Sequence, residues 1–192
     1  MFKLFRRLIS FINRRLPEYF KVLTLRLAGV DADWSARIHW SVVIQRGGGA
    51  ISIGKRTSLD RGVLLRSYGG VIQIGADCSV NPYSVIYGDG GLTIGNGVRI
   101  AAHTVIIPAN HIFLDPDRYI FEQGESRLGI TIGDDVWLGA GVRVLDGVDI
   151  KKGTVIGAGA VVTKSTEAFG VYVGVPAKKI SSRLVDNNST LG

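Results

Sequence analysis

The amino-acid sequence predicts an all-β solenoid with three sides, and three observations lead there. Aliphatic residues recur six apart, as in Ile132, Leu138, Val144, Ile150, Ile156 and Val162. A small or β-branched residue comes four positions after such an aliphatic, at Thr57, Val63, Cys78, Ser84, Val98, Thr104, Val136, Val142, Val148, Thr154 and Ala160. Glycine is abundant, at 26 of 192 residues, beside only five prolines, which marks many tight turns rather than disorder. The small residue and the next aliphatic stand two apart, so both point to one side of a short strand. The positions between one such pair and the next turn the chain, and Gly, Asn or Asp take the positive φ that a corner needs. Three such sides close a coil of about 18 residues, and the strands pair between successive coils. An antiparallel sandwich would show plain alternation and hairpin turns instead of a fixed period of six.

The elements follow in chain order. Residues 1–29 read as a basic amphipathic helical appendage. Phe5, Leu8, Ile9, Ile12 and Leu16 share one helical face, with Arg6, Arg7, Asn13 and Arg14 mostly opposite. Pro17 separates this helix from a second, over 18–28, which Gly29 is placed to end. Such a segment fits peripheral contact with an anionic membrane surface, or a cap over the open first coil of the solenoid. The solenoid is expected over 30–180. Ile38 and Ile44 open it weakly, and the triplets Ile53, Leu59, Leu65, then Ile74, Val80, Ile86, then Ile94, Ile100, Ile106 continue it. Short excursions around Tyr68-Gly69-Gly70 and Asp89-Gly90-Gly91 must leave at one corner. The long interruption, residues 107–129, is a functional suspect because a loop of this size in a regular solenoid is uncommon. It holds Asn110-His111. Residues 181–192 read as a C-terminal tail.

The net charge of +7 suggests nucleic acid until it is located. Seven Lys and Arg fall within residues 1–29 against Glu18 alone, while the remainder carries 16 basic and 15 acidic residues. The body is therefore nearly neutral and no recognition motif accompanies the charge, which disfavours a nucleic-acid partner. No apolar run reaches the roughly 18 residues that a spanning helix needs, and charges interrupt every apolar stretch of the first residues, unlike a signal peptide. The single cysteine fits a reducing compartment. The expected location is cytoplasmic, with peripheral attachment at the inner face of the membrane.

The segment ITIGDDVWLGAGVRVLDGVDIKKGTVIGAGAVVTKS, followed by GVPAKKI, resembles the hexapeptide-repeat acyltransferases over roughly residues 50–180. It is similar to maltose and galactoside acetyltransferases and to O-acetyltransferases of capsule, O-antigen and exopolysaccharide assembly. The resemblance implies a left-handed parallel β-helix assembled as a homotrimer, with acetyl-CoA as co-substrate and no metal. It implies a catalytic histidine in a loop reaching toward the neighbouring subunit, a place matched by His111. One base that titrates near neutrality suffices when a sugar hydroxyl attacks a thioester. Asn81 matches an amide that helps hold the acceptor or the tetrahedral intermediate. The backbone N–H of Ala140 matches the oxyanion donor, and Trp137 is assigned to the wall of the acyl-CoA channel, simple capping of a coil being the alternative. Thr163, Lys164, Lys178 and Lys179 match the end that holds the CoA phosphates, where cations are needed. Ser165-Thr166-Glu167-Ala168 departs from the family's usual acidic-Ile-Pro-Pro turn, and the Lys178-Lys179 pair stands where one basic residue is typical. Cys78 occupies an inward position and is read as inert, and neither His39 nor His103 is assigned a role.

The function expected is acetyl transfer to a hydroxyl of a saccharide or glycan-lipid acceptor, in cell-surface polysaccharide biosynthesis. Xenobiotic (antibiotic) acetylation is the runner-up. A zinc hydratase of the same fold needs three converging imidazoles, and the chain has only His39, His103 and His111. A non-catalytic scaffold is the third alternative, against which His111 and the intact CoA end both speak.

Overall fold

The computed structural model describes residues 18–184 as a parallel β-solenoid of about six coils, closed at its start by one short helix. The amphipathic face expected over residues 5–16, and most of the expected tail, lie outside the described residues. Each coil contributes one strand to each of three faces. The fourth coil, for example, runs through Leu92–Ile94, Arg99–Ile100 and Val105–Ile106. Strands of the same face pair in parallel from coil to coil, with Ile53↔Ile74, Leu59↔Val80 and Leu65↔Ile86 in register. The first face holds six strands, the second eight and the third six. The fourth and fifth coils stay in register on all three faces, at Leu92↔Ile130, Arg99↔Trp137 and Val105↔Arg143, although residues 107–129 intervene.

Both periodicities meet in the interior. The recurring aliphatics from Ile53 to Val162 and the small residues after them are almost all below 3% exposed, which makes one continuous core along the axis. The buried hydroxyls are satisfied by corner carbonyls. Thr57 Oγ1 donates to Gly75 O at 2.7 Å, Ser84 Oγ to Asn81 O at 3.0 Å, and Thr104 Oγ1 to Ala101 O at 2.9 Å. Cys78 uses the same device, with Sγ 3.1 Å from Gly95 O, and burial pushes its thiol pKa up.

Most corners take their positive φ at glycine or aspartate, as the sequence predicts, with Gly62, Gly97, Gly141, Gly147, Gly153 and Gly159 among them. The glycine directly after the aliphatic does not carry the positive φ. That conformation falls two residues later, and where glycine does not supply it, it falls on Asp77 and Asp135 but also on Arg56, Tyr83 and His103, with φ between 55° and 60°. The glycine itself is required by close approach. A Cβ on Gly54 would stand 2.6 Å from the Gly75 carbonyl, and one on Gly139 would stand 2.6 Å from Ala158 N.

The two ends are sealed differently. Residues 18–27 are helical, and their Val22 and Leu25 are buried against the first coil. At the other end Gly170–Val173 pairs with Val155–Ile156, and Lys178–Ser182 returns antiparallel over it. That last strand runs two residues into the expected tail.

Candidate active site

The interrupting loop leaves the corner between the third and first faces as a short two-stranded ribbon. Asn110–His111 pairs antiparallel with Glu125–Ser126, which sets His111 opposite Glu125. Asp146 on the next coil fixes the returning arm, its Oδ1 accepting from the N–H groups of Leu128 and Gly129 at 2.9 Å each. Gln123 folds the tip by accepting from Asp115 N–H at 3.0 Å and donating to Asp115 O at 2.9 Å. The tip exposes large apolar side chains, with Phe113, Leu114, Tyr119 and Phe121 all at least 65% accessible, beside the charged Asp117, Arg118 and Glu122.

His111 Nδ1 lies 3.7 Å from Glu125 Oε1, and Arg127 donates to Glu125 Oε2 at 3.0 and 3.2 Å. The carboxylate is thus held by a guanidinium on one oxygen and faces the imidazole with the other. A cleft of about 510 Å³ opens beside this group, walled by Tyr68, Tyr87, Asp89, Ala109 and Leu145 together with His111, Glu125 and Arg127. Tyr68 and Tyr87 meet edge to face at 5.1 Å, and the Arg66 guanidinium sits over Tyr68 at 4.6 Å. An imidazole facing a carboxylate at the mouth of such a cleft can take a proton from a bound hydroxyl or amine.

Sequence reasoning missed two residues here. Glu125 gave no signal because it lies within an aperiodic stretch. Asp89 reads as an ordinary turn residue between glycines, yet its Oδ1 is buried with no hydrogen-bond partner among the described residues. Burial pushes its pKa up, and the neighbouring Glu125 charge adds to this. The native state therefore holds this proton more tightly than the unfolded chain. The resulting contribution to stability is present below the unfolded value and is lost as pH rises through the raised native one. Asp89→Asn should accordingly raise the thermal midpoint relative to wild type at neutral pH, and the gain should shrink as pH falls through the carboxylate range.

The other expected site residues do not gather around His111 within one chain. Thr163 and Lys164 follow the third face, at the same corner as the loop but two coils further on. Trp137 opens a strand of the second face and is 54% exposed. Ala140 and Asn81 lie at the corner between the second and third faces. The Ala140 N–H has no acceptor among the described residues. The Asn81 side-chain amide donates to Ile100 O at 2.9 Å, and the residue edges a separate hollow of about 270 Å³ with Arg37, His39, Ser58 and Asp60. Lys178 and Lys179 are on the last strand, where Lys179 Nζ donates to Glu167 Oε2 at 2.6 Å. That bond raises the Lys179 pKa. The three histidines do not converge: His39 Nδ1 lies 2.8 Å from Ser41 Oγ, His103 stacks on Tyr83 at 5.5 Å, and His111 faces Glu125.

Residues 129–164 match the family described as bacterial transferase hexapeptide (six repeats). The chain is 34% identical over 147 residues to an Escherichia coli K12 protein named as a lipopolysaccharide biosynthesis O-acetyl transferase, covering 70% of this chain and 73% of that one. It is 33% identical over 141 residues to an Escherichia coli dTDP-4-amino-4,6-dideoxy-D-glucose acyltransferase, covering 69% and 72%. Against relatives in Schizosaccharomyces pombe and Saccharomyces cerevisiae the chain spans less of their lengths, 44% and 61%. Among solved structures, the N-acyltransferase AntD from Bacillus cereus, in complex with dTDP and 3-hydroxybutyryl-CoA, superposes with a TM-score of 0.75 at 22% identity. The match covers 87% of this chain and 90% of that one, and at this identity the likeness is one of fold.

Proposed function

Because the chain belongs to the hexapeptide-repeat acyltransferases, we propose that it moves an acetyl group from acetyl-CoA to a saccharide hydroxyl, with His111 as general base. The observation that carries this reading is the Arg127–Glu125–His111 chain at the mouth of the cleft. His111 takes the hydroxyl proton as the oxygen attacks the thioester carbonyl. The Ala140 N–H supports the oxyanion, and the imidazolium returns the proton to the departing CoA sulfur. Asp89 is placed to accept from a second hydroxyl of the acceptor. Cell-surface polysaccharide assembly is the setting that best fits a saccharide acceptor.

His111 and the Trp137–Ala140 segment lie on different parts of one solenoid, so this mechanism needs the loop of one subunit to meet CoA on the next. A homotrimer supplies that meeting. Two surfaces favour it: the exposed apolar side chains of the loop tip, and the outward row Val43, Leu64, Val85, Val105 on the third face. The helix over 18–27 leaves Tyr19, Phe20 and Leu27 exposed beside Lys21 and Arg26. With the basic residues before them, these suit peripheral contact with an anionic membrane. Among the described residues no helix is long and apolar enough to cross one.

Release of free CoA thiol from acetyl-CoA, measured across a panel of glycan acceptors, tests the reading. Turnover that no saccharide stimulates counts against it. An amine acceptor is the second reading, favoured by similarity to a relative named for an amino sugar. A product whose acetyl group survives mild alkali marks an amide and decides for it. Lys178, assigned to a CoA phosphate, yields a further expectation. Lys178→Ala should raise KM for acetyl-CoA about tenfold, and much less for dephospho-CoA thioesters, because a charge-assisted contact is lost.

A further inference from the structure

The second face carries a cationic row that the transfer mechanism does not use. Its outward positions run Arg37, Ser58, Ser79, Arg99 and Trp137, each directly in register with the next on the neighbouring coil. Neighbouring strands stand about 4.8 Å apart, so the two arginines frame the two serine hydroxyls over about 14 Å. A cleft of about 680 Å³ opens on this row and extends to the adjoining corner, where Arg56, Asp77 and Ser35 complete it. Three guanidiniums face one carboxylate. Arg56 is already engaged, donating to both oxygens of Asp77 at 2.6 and 2.5 Å. Arg99 gives one nitrogen to the carbonyls of Asp77 and Val98 and keeps the rest of its fork open. Arg37 is exposed, and its side chain makes no hydrogen bond or ion pair among the described residues.

We propose that this row binds the phosphate groups of a phosphate-linked saccharide, as in a nucleoside diphosphate or lipid diphosphate sugar, and so defines the acceptor class. The proposal rests on the acyltransferase reading. Two arguments from placement support it. First, the row continues directly into Trp137, on the side away from Lys164, Lys178 and Lys179. With CoA phosphates held at that far end, the arginines fall beyond the thioester, where an acceptor enters. Second, the hollow edged by Asn81 shares Arg37 and Ser58 with the arginine cleft, so the expected acceptor-holding amide and the cations form one surface. The chemistry narrows the ligand. A single carboxylate fills one guanidinium fork, whereas two separated forks with hydroxyl donors between them suit linked phosphates, which offer several acceptor oxygens along a line.

Isothermal titration of the full chain with inorganic pyrophosphate, in the presence of saturating CoA, tests the site without relying on turnover. Binding should persist beside CoA, weaken with added salt and fall about tenfold or more in Arg37→Gln. It should be unchanged in Lys178→Ala. Pyrophosphate that competes with CoA and is lost in Lys178→Ala alone would place it at the CoA end and overturn the proposal. Transfer assays then compare nucleoside diphosphate hexoses, lipid diphosphate sugars and methyl hexosides. Arg37→Gln should raise KM for the phosphorylated acceptors about tenfold or more and leave KM for acetyl-CoA unchanged. Preference between the two diphosphate acceptors identifies the source. Equal use of methyl hexosides, with no effect of Arg37→Gln, overturns the acceptor class while acetyl transfer stands. A wild type that binds no acetyl-CoA overturns the transfer reading instead.

Discussion

His111→Ala should lower kcat by about two to four orders of magnitude, with acetyl-CoA binding nearly intact. Among the described residues the imidazole is the one side chain of the cleft able to accept a proton near neutrality that faces a carboxylate, and a hydroxyl is a poor nucleophile until its proton is accepted. The thioester itself needs no further activation, so removing the base strikes kcat and kcat/KM together rather than KM. Glu125→Gln serves as the graded companion. It preserves the shape of the ribbon but removes the charge that Arg127 holds against Nδ1, so kcat should fall less than in His111→Ala. Both are checked by steady-state rates beside calorimetric binding of acetyl-CoA. A Cys78→Ser variant should keep most activity, since its sulfur only satisfies a corner carbonyl. Dispensable His111 beside an essential Cys78 would replace direct transfer with an acyl-enzyme.

The second large effect concerns assembly. Val85 and Val105 are directly in register on the outward side of the third face, the last two positions of its apolar row before Arg143. In a trimer packed through that face, Val85→Asp with Val105→Asp would bury two carboxylates, and the one at position 85, which has apolar neighbours in register on both sides, would cost several kcal/mol. Light scattering should show wild type at three times the 20.7 kDa of one chain and the variant at a single chain mass. Transfer should drop about a hundredfold or more, as expected when a positioned base is withdrawn from its substrate. Both positions project away from the core, so circular dichroism should remain that of the wild type. A monomeric wild type with full activity would place His111 and CoA in one chain and defeat the shared site.

The architecture was legible because it repeats. A side chain that must fill a narrow three-sided interior is constrained at every turn, and Ile53, Leu59 and Leu65 announce this as clearly as Ile150, Ile156 and Val162. What the repeat does not encode was harder to read. The pairing of His111 with Glu125 arises from a ribbon whose arms are separated by an aperiodic tip, so no spacing rule predicts it. Asp89 looks like turn chemistry, and only the surrounding packing shows its oxygen to be stranded. The need for glycine at positions such as Gly54 and Gly139 was not legible, because a clash with the next coil cannot be seen along a single strand. Arg37, Ser58, Ser79 and Arg99 were visible in principle. They stand one coil apart, and writing the coils beneath one another would have aligned them.

The unbroken register of the fourth and fifth coils across residues 107–129 has an evolutionary consequence. The two ends of the loop are held side by side by strand pairing on three faces, whatever the loop contains. Its closure is therefore supplied by the scaffold, and doubling its length would cost only about 0.6 kcal/mol in chain entropy. Insertions at this corner leave every neighbouring coil contact intact, whereas a single residue inserted into a strand would turn core side chains outward. The loop can thus be rewritten freely, on a stack whose inward positions stay fixed by its own interior.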